Sequence, residues 1–97
     1  MMPKALVLLS PWTDLTSSGE SQVTRAQIDP VIEKEYLESA IQYYAGDHDL
    51  KDPTISPLFA DLTGFPPTYI QVGDNEMLLD DSTRLYETLL KYNVLTR

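Results

Sequence analysis

The stretch Phe65-Pro-Pro-Thr-Tyr-Ile-Gln-Val-Gly-Asp-Asn-Glu-Met-Leu-Leu-Asp-Asp-Ser82 constrains this chain more than any other. β-Branched and aromatic residues at 68–72 predict a strand. Gly73 to Glu76 form a turn, and a helix is expected from Asp80 or Asp81 to about Tyr92, with Leu85, Tyr86 and Leu89 on one face. Asp80 and Asp81 read as N-caps of that helix. In open α/β sheets reactive groups gather just beyond the carboxyl ends of the strands, so Asp74 and Glu76 stand as candidate acids. Carboxylates at a helix start also complement its dipole, and from the residues alone that simpler account is preferred.

The rest of the chain suits the same architecture. Residues 5–9 are a continuous apolar run ended by Ser10 and Pro11, which predicts a strand buried on both faces. The run is shorter than the roughly 7–15 residues of a signal-peptide core. Residues 12–26, rich in Ser, Thr and Gly, read as an excursion over the surface. Asp29 and Pro30 predict an N-cap and first helical residue, followed by Ile32, Tyr36, Leu37, Ala40, Ile41 and Tyr44 at helical spacing and closed by Gly46. Tyr36, Tyr43 and Tyr44 are assigned to helix packing rather than to a ligand box. Prolines 53, 57, 66 and 67 make the next segment an extended loop, with a short helical turn near 58–62. Asn93 is suited to end the second helix, and Val94 to Thr96 look like the start of a third strand. A β-α-β-α order implies parallel pairing. The expected fold is therefore α/β: one domain over residues 1–97, with a small parallel sheet of two to three strands and two main helices.

Composition narrows the functions. A chain of 97 residues has room for one core, and 42% hydrophobic residues are too many for a disordered tail. A net charge of −8 argues against nucleic acid and anionic membrane surfaces as partners. The absence of cysteine excludes a disulfide framework, a thiolate metal site and a cysteine nucleophile, and a cytoplasmic location is the default expectation. His48 is the only histidine, and it lies in a charged cluster, residues 47–52, that reads as solvated rather than metal-binding. Asp74-Asn-Glu76 lacks the glycine and spacing of a calcium loop.

Three ordered segments carry a family resemblance: Leu6-Val-Leu-Leu-Ser-Pro-Trp-Thr-Asp14, Asp52-Pro-Thr-Ile-Ser-Pro-Leu-Phe-Ala-Asp-Leu62 and Tyr69-Ile-Gln-Val-Gly-Asp-Asn-Glu-Met-Leu-Leu-Asp-Asp81. They resemble the C-terminal half of the hormone-sensitive-lipase-like α/β-hydrolases, bacterial carboxylesterases and lipases. The family's acid commonly opens a D-P-L-x-D pattern. Laid without gaps over residues 76–80, that pattern puts Glu76 on the triad acid, with glutamate in place of the commoner aspartate; either carboxylate can orient and stabilise an imidazolium. Asp74, two residues nearer the strand, is the competing choice.

The resemblance also implies an H-G-G-type oxyanion motif and a serine elbow upstream, and a catalytic histidine downstream of the strand beginning at Val94. No G-x-S-x-G occurs here. Gly19-Glu-Ser-Gln-Val23 imitates an elbow but lacks the second glycine and a preceding strand, so Ser21 is not assigned as a nucleophile. Trp12 is read as loop packing rather than as a wall of an acyl pocket. The expectation is a fragment of a carboxylic-ester hydrolase that bears only the triad acid and is inactive alone. It would need no cofactor, would meet a small acyl ester only in the complete enzyme, and would self-associate through an open sheet edge or helix face. A non-catalytic acidic interaction module derived from a hydrolase is the alternative.

Overall fold

The computed structural model describes residues 2–97. Two strands, β1 (Leu6–Leu9) and β2 (Thr68–Gln71), pair in parallel with Leu6 opposite Thr68 and Leu9 opposite Gln71. Between them lie a four-residue helix α1 (Ser21–Thr24), the long helix α2 (Lys34–Ala45) and a 3-10 turn (Pro57–Phe59); α3 (Leu79–Lys91) follows β2. The C-terminal residues continue the sheet on the free side of β2. Thr68 N–H donates to the Leu95 carbonyl and Ile70 N–H to that of Arg97, with one parallel bridge between Thr68 and Thr96.

The core lies between this sheet and α3, where Leu58, Leu62, Leu85, Leu89 and Val94 cluster, with Leu8, Phe65 and Ile70 against them. Leu85 and Leu89 are one helical turn apart, so one face of α3 reaches the sheet at both levels. Asn93, with φ 59, takes the left-handed conformation that turns the chain out of α3 toward β2.

Several sequence expectations are corrected. Residues 5–9 are not buried on both faces: Leu6 and Leu8 turn toward the core, whereas Val7 and Leu9 are 67% and 69% exposed. Only one face of the strand pair is covered, so the continuous apolar run is half solvated here. The segment 12–26 is not a surface excursion, because Thr13, Asp14, Leu15, Ser21 and Gln22 are buried and α1 packs on α3. Asp29 does not cap α2, which starts at Lys34, after Glu33. Asp29 Oδ1 instead accepts the amides of Val31 and Ile32 in a turn five residues earlier. The helix nevertheless closes at Gly46, with φ 56, as its position suggested. Tyr36, Tyr43 and Tyr44 are exposed rather than packed; Leu37 and Ala45 are the buried positions of α2. Asp80 and Asp81 are not caps either, because α3 begins at Leu79 and both lie within its first turn.

Candidate functional site

The turn that follows β2 is the candidate site. Gly73 to Leu78 carry the chain from the strand end to α3 as two consecutive tight turns, with Glu76 N–H donating to the Gly73 carbonyl and Leu79 N–H to that of Glu76. Met77 and Leu78 are buried and seat the turn. Glu76 is therefore half-buried, and its Oε2 accepts the Gly73 amide. A Cβ on Gly73 would come within 2.9 Å of that oxygen, so glycine leaves room for the carboxylate to fold back on its own turn. Asp74 is exposed and supplies the turn with its backbone carbonyl, which accepts Arg25 Nε at 2.8 Å.

Around this turn the structure assembles residues that sequence reasoning left unconnected. Met77 N–H donates to Asp29 Oδ2 at 2.8 Å, and the Met77 carbonyl accepts Ser21 Oγ at 2.7 Å. Asp80 N–H in turn donates to Ser21 Oγ, and Asp80 Oδ2 accepts the Ser21 amide. Ser21 is buried at the start of α1, follows no strand and is committed to these backbone partners. Burial pushes the Asp29 carboxyl up, but the amides of Ile32, Met77 and Val31 outweigh it and hold it below its usual value. Gly19 allows α1 this close, since a Cβ there would stand 3.0 Å from Asp80 Cβ.

A second layer lies beneath. Asp81 is buried; its Oδ2 accepts the amides of Thr13 and Asp14 at 2.9 and 3.0 Å, and its Oδ1 has no partner. Burial raises its pKa to about 6, against the pull of the two amides; the neighbouring Asp14 carboxylate adds to the rise. Asp14 is fully buried too, and burial likewise pushes its carboxyl up. Donors from Ser18, Thr16 and Arg84 reverse the sign, so it stays ionised below its usual value. Arg84 Nη1 lies 2.9 Å from Asp14 Oδ2 and tethers α3 to residues 14–18.

One local signal could have located Asp14. Asp14-Leu-Thr16, Asp52-Pro-Thr54 and Asp61-Leu-Thr63 share the spacing Asp-x-Thr, and in each the aspartate accepts both the amide and the hydroxyl of the threonine. No comparable signal marks the long-range contacts of Asp29 and Asp81, whose Oδ2 atoms accept the Met77 and Thr13 amides 48 and 68 residues away.

His48 is exposed, with Nδ1 2.8 Å from the Ala45 carbonyl at the end of α2. Among the described residues no group of three His, Cys, Asp or Glu side chains is arranged to hold a metal, and no helix is long and apolar enough to cross a membrane. Trp12 is half-buried and lines a shallow cavity with Leu15, Ala40, Tyr44 and Pro57.

The alpha/beta hydrolase fold family matches residues 1–97. An esterase of Acinetobacter venetianus is 46% identical over 89 residues, which cover 90% of this chain and 29% of that protein. An acetyl-hydrolase of Streptomyces hygroscopicus is 39% identical over 90 residues, covering 93% of this chain and 30% of that one. Among solved structures, a hormone-sensitive lipase from a metagenome library superposes with a TM-score of 0.96 at 42% identity, over 100% of this chain and 33% of that one. The chain thus spans about a third or less of the length of the proteins it matches. On the strength of these matches and of the parallel strand, acidic turn and helix described above, the chain belongs to the α/β-hydrolase fold family, in its hormone-sensitive-lipase-like branch.

Proposed function

We propose that this chain is the acid-bearing section of a carboxylic-ester hydrolase and that Glu76 is the triad acid. In the complete enzyme a serine attacks the ester carbonyl, a histidine takes and returns the proton, and Glu76 orients the histidine and stabilises its imidazolium. Serine and histidine come from chain outside these 97 residues, and the substrate is a small acyl ester.

The supporting observation is the contrast between two carboxylates on one turn. Glu76 is half-buried beyond the end of β2 and is steadied by a backbone amide, whereas the Asp74 side chain is exposed. A triad acid must be held in one direction and partly shielded from water, because an exposed carboxylate interacts weakly with an imidazolium. Relatives described as an esterase and an acetyl-hydrolase fit the same chemistry.

Two measurements test this reading. The 97-residue chain should hydrolyse p-nitrophenyl acetate no faster than buffer. In a hybrid, these residues replace the matching section of the Acinetobacter venetianus esterase. There Glu76→Gln should lower kcat by as much as about 10⁴-fold, following the aspartate-to-asparagine precedent in serine proteases, and Asp74→Asn should leave it nearly unchanged. The opposite ranking would transfer the role to Asp74.

A further inference from the structure

The backbone on either side of Glu76 is gripped from outside its own turn, and the three grips come from residues 21–29. Asp29 Oδ2 holds the Met77 amide, which belongs to the peptide bond directly following Glu76; Ser21 Oγ holds the Met77 carbonyl; and Arg25 Nε holds the Asp74 carbonyl. Asp29 divides its work between its two oxygens. Oδ1 accepts Val31 and Ile32 at 2.8 Å each, which shapes the local turn, while Oδ2 reaches a residue 48 positions away. A turn-forming aspartate needs only the first of these. The second fixes the plane of the Glu76–Met77 peptide, and with it the direction in which the Glu76 side chain leaves the backbone.

We infer that Asp29 is a positioning residue for the catalytic acid, acting through the Met77 amide, with Ser21 holding the other side of Met77 as its counterpart. The inference rests on the assignment of Glu76 made above. Its physical content is that a short acidic turn with three exposed residues, Gly73, Asp74 and Asn75, has a single internal contact on the carboxylate, from the Gly73 amide, and relies on outside contacts to fix the backbone that carries it. A catalytic group must be held near its productive geometry by neighbours that are themselves locked. Asp29 is locked by its own turn, and Ser21 by two hydrogen bonds to Asp80.

Asp29→Asn separates the two jobs. The amide is isosteric and keeps one oxygen, which is retained by the two local amides of Val31 and Ile32, so the Met77 amide then faces an NH2 group that cannot accept it. In the intact 97-residue chain, the Met77 amide should exchange with solvent at least about tenfold faster in Asp29→Asn than in the wild type, as expected for loss of one hydrogen bond to a charged group. The Thr68 amide, bonded to the Leu95 carbonyl in the sheet, should be unaffected. In the hybrid esterase Asp29→Asn should lower kcat about tenfold with KM unchanged. It should also move the acidic limb of the kcat/KM profile to lower pH, because a misdirected carboxylate stabilises the imidazolium less and lets the histidine pKa fall. Ser21→Ala should reproduce both kinetic effects, and it stands in if Asp29→Asn does not fold. Tyr43→Ser, on the exposed face of α2, should change neither.

Equal Met77 exchange in wild type and Asp29→Asn would overturn the inference, and so would a rise in KM at constant kcat or an unmoved acidic limb. A hybrid that loses activity in Glu76→Gln but is indifferent to Asp29→Asn and Ser21→Ala removes this inference alone. A hybrid indifferent to Glu76→Gln removes the acid assignment, and the positioning role with it.

Discussion

Three buried or half-buried aspartates behave differently because their donors differ in number. Asp14 and Asp29 each collect enough donors to remain charged below the usual carboxylate range, whereas Asp81 has two amides, an empty Oδ1 and Asp14 beside it. The folded pKa of Asp81, about 6, lies above its unfolded value of 3.8, so the native state binds the extra proton between those two values. Its contribution is fully favourable below about pH 4 and is lost as the pH rises through 6. Replacing the carboxyl with a group that is neutral at every pH removes this loss. Relative to wild type, Asp81→Asn should gain stability between pH 4 and 7, by about 1–3 kcal/mol for a shift of this size, as read from urea denaturation at the two values. An unchanged difference would mean that Asp81 titrates normally. Asp14 has the opposite sign: its stabilisation is present above its unfolded pKa and is lost as the pH falls through the depressed folded value. Asp14→Asn breaks the contact with Arg84 and should cost about 2–3 kcal/mol at pH 7, with the cost shrinking in acid.

At the scale of elements, α3 holds the molecule together. Its inner face supplies Leu85 and Leu89 to the core, its first turn supplies Asp80 and Asp81 to the segments 13–21, and Arg84 adds the tie to Asp14. Leu89 is 1% exposed, and Leu89→Ala should destabilise the chain by about 2–4 kcal/mol through lost burial and the cavity left behind. The contact between α1 and α3 depends on Gly19, where a methyl group would press on Asp80 Cβ. Gly19→Ala should therefore cost about 1–2 kcal/mol and loosen the Met77 amide, which thermal melts and hydrogen exchange would report. Helix α2 contrasts with α3. Three of its tyrosines face solvent, and among the described residues it makes no extensive contact with another strand or helix. Of the apolar residues on this helix only Leu37 and Ala45 are buried, so its apolar stripe is only partly covered.

Over the whole molecule the sheet is the unfinished part. Val7, Leu9, Tyr69 and Leu95 expose apolar surface on the side away from α3, and among the described residues no strand pairs with the outer edge of β1. Exposed apolar sheet surface with an open edge favours association. We expect the isolated chain to pair with a second copy through this face. Sedimentation at micromolar concentration should show a dimer or larger species, and Leu9→Lys should return it to a monomer. A compact wild-type monomer under those conditions would count against the pairing.

How much of this was legible in the residues depended on range. The strand at 68–71, the helix from 79 to 91, the stop at Gly46, the left-handed Asn93 and the acidic turn between strand and helix all follow from periodicities and backbone preferences that act within a few residues. The three ordered segments carried the family for the same reason, since each is a contiguous string. What only the tertiary structure decided is which carboxylates find donors far along the chain. Asp29 and Asp81 resemble ordinary helix caps in sequence, because a cap and a long-range tether use the same side chain and differ only in which amide comes within about 3 Å. That amide lies 48 or 68 residues away, and the packing of residues 13–29 against the acidic turn and the start of α3 brings it there. Likewise, the apolar run at 5–9 is equally suited to one covered face or two, and the layers packed against β1 determine which is observed.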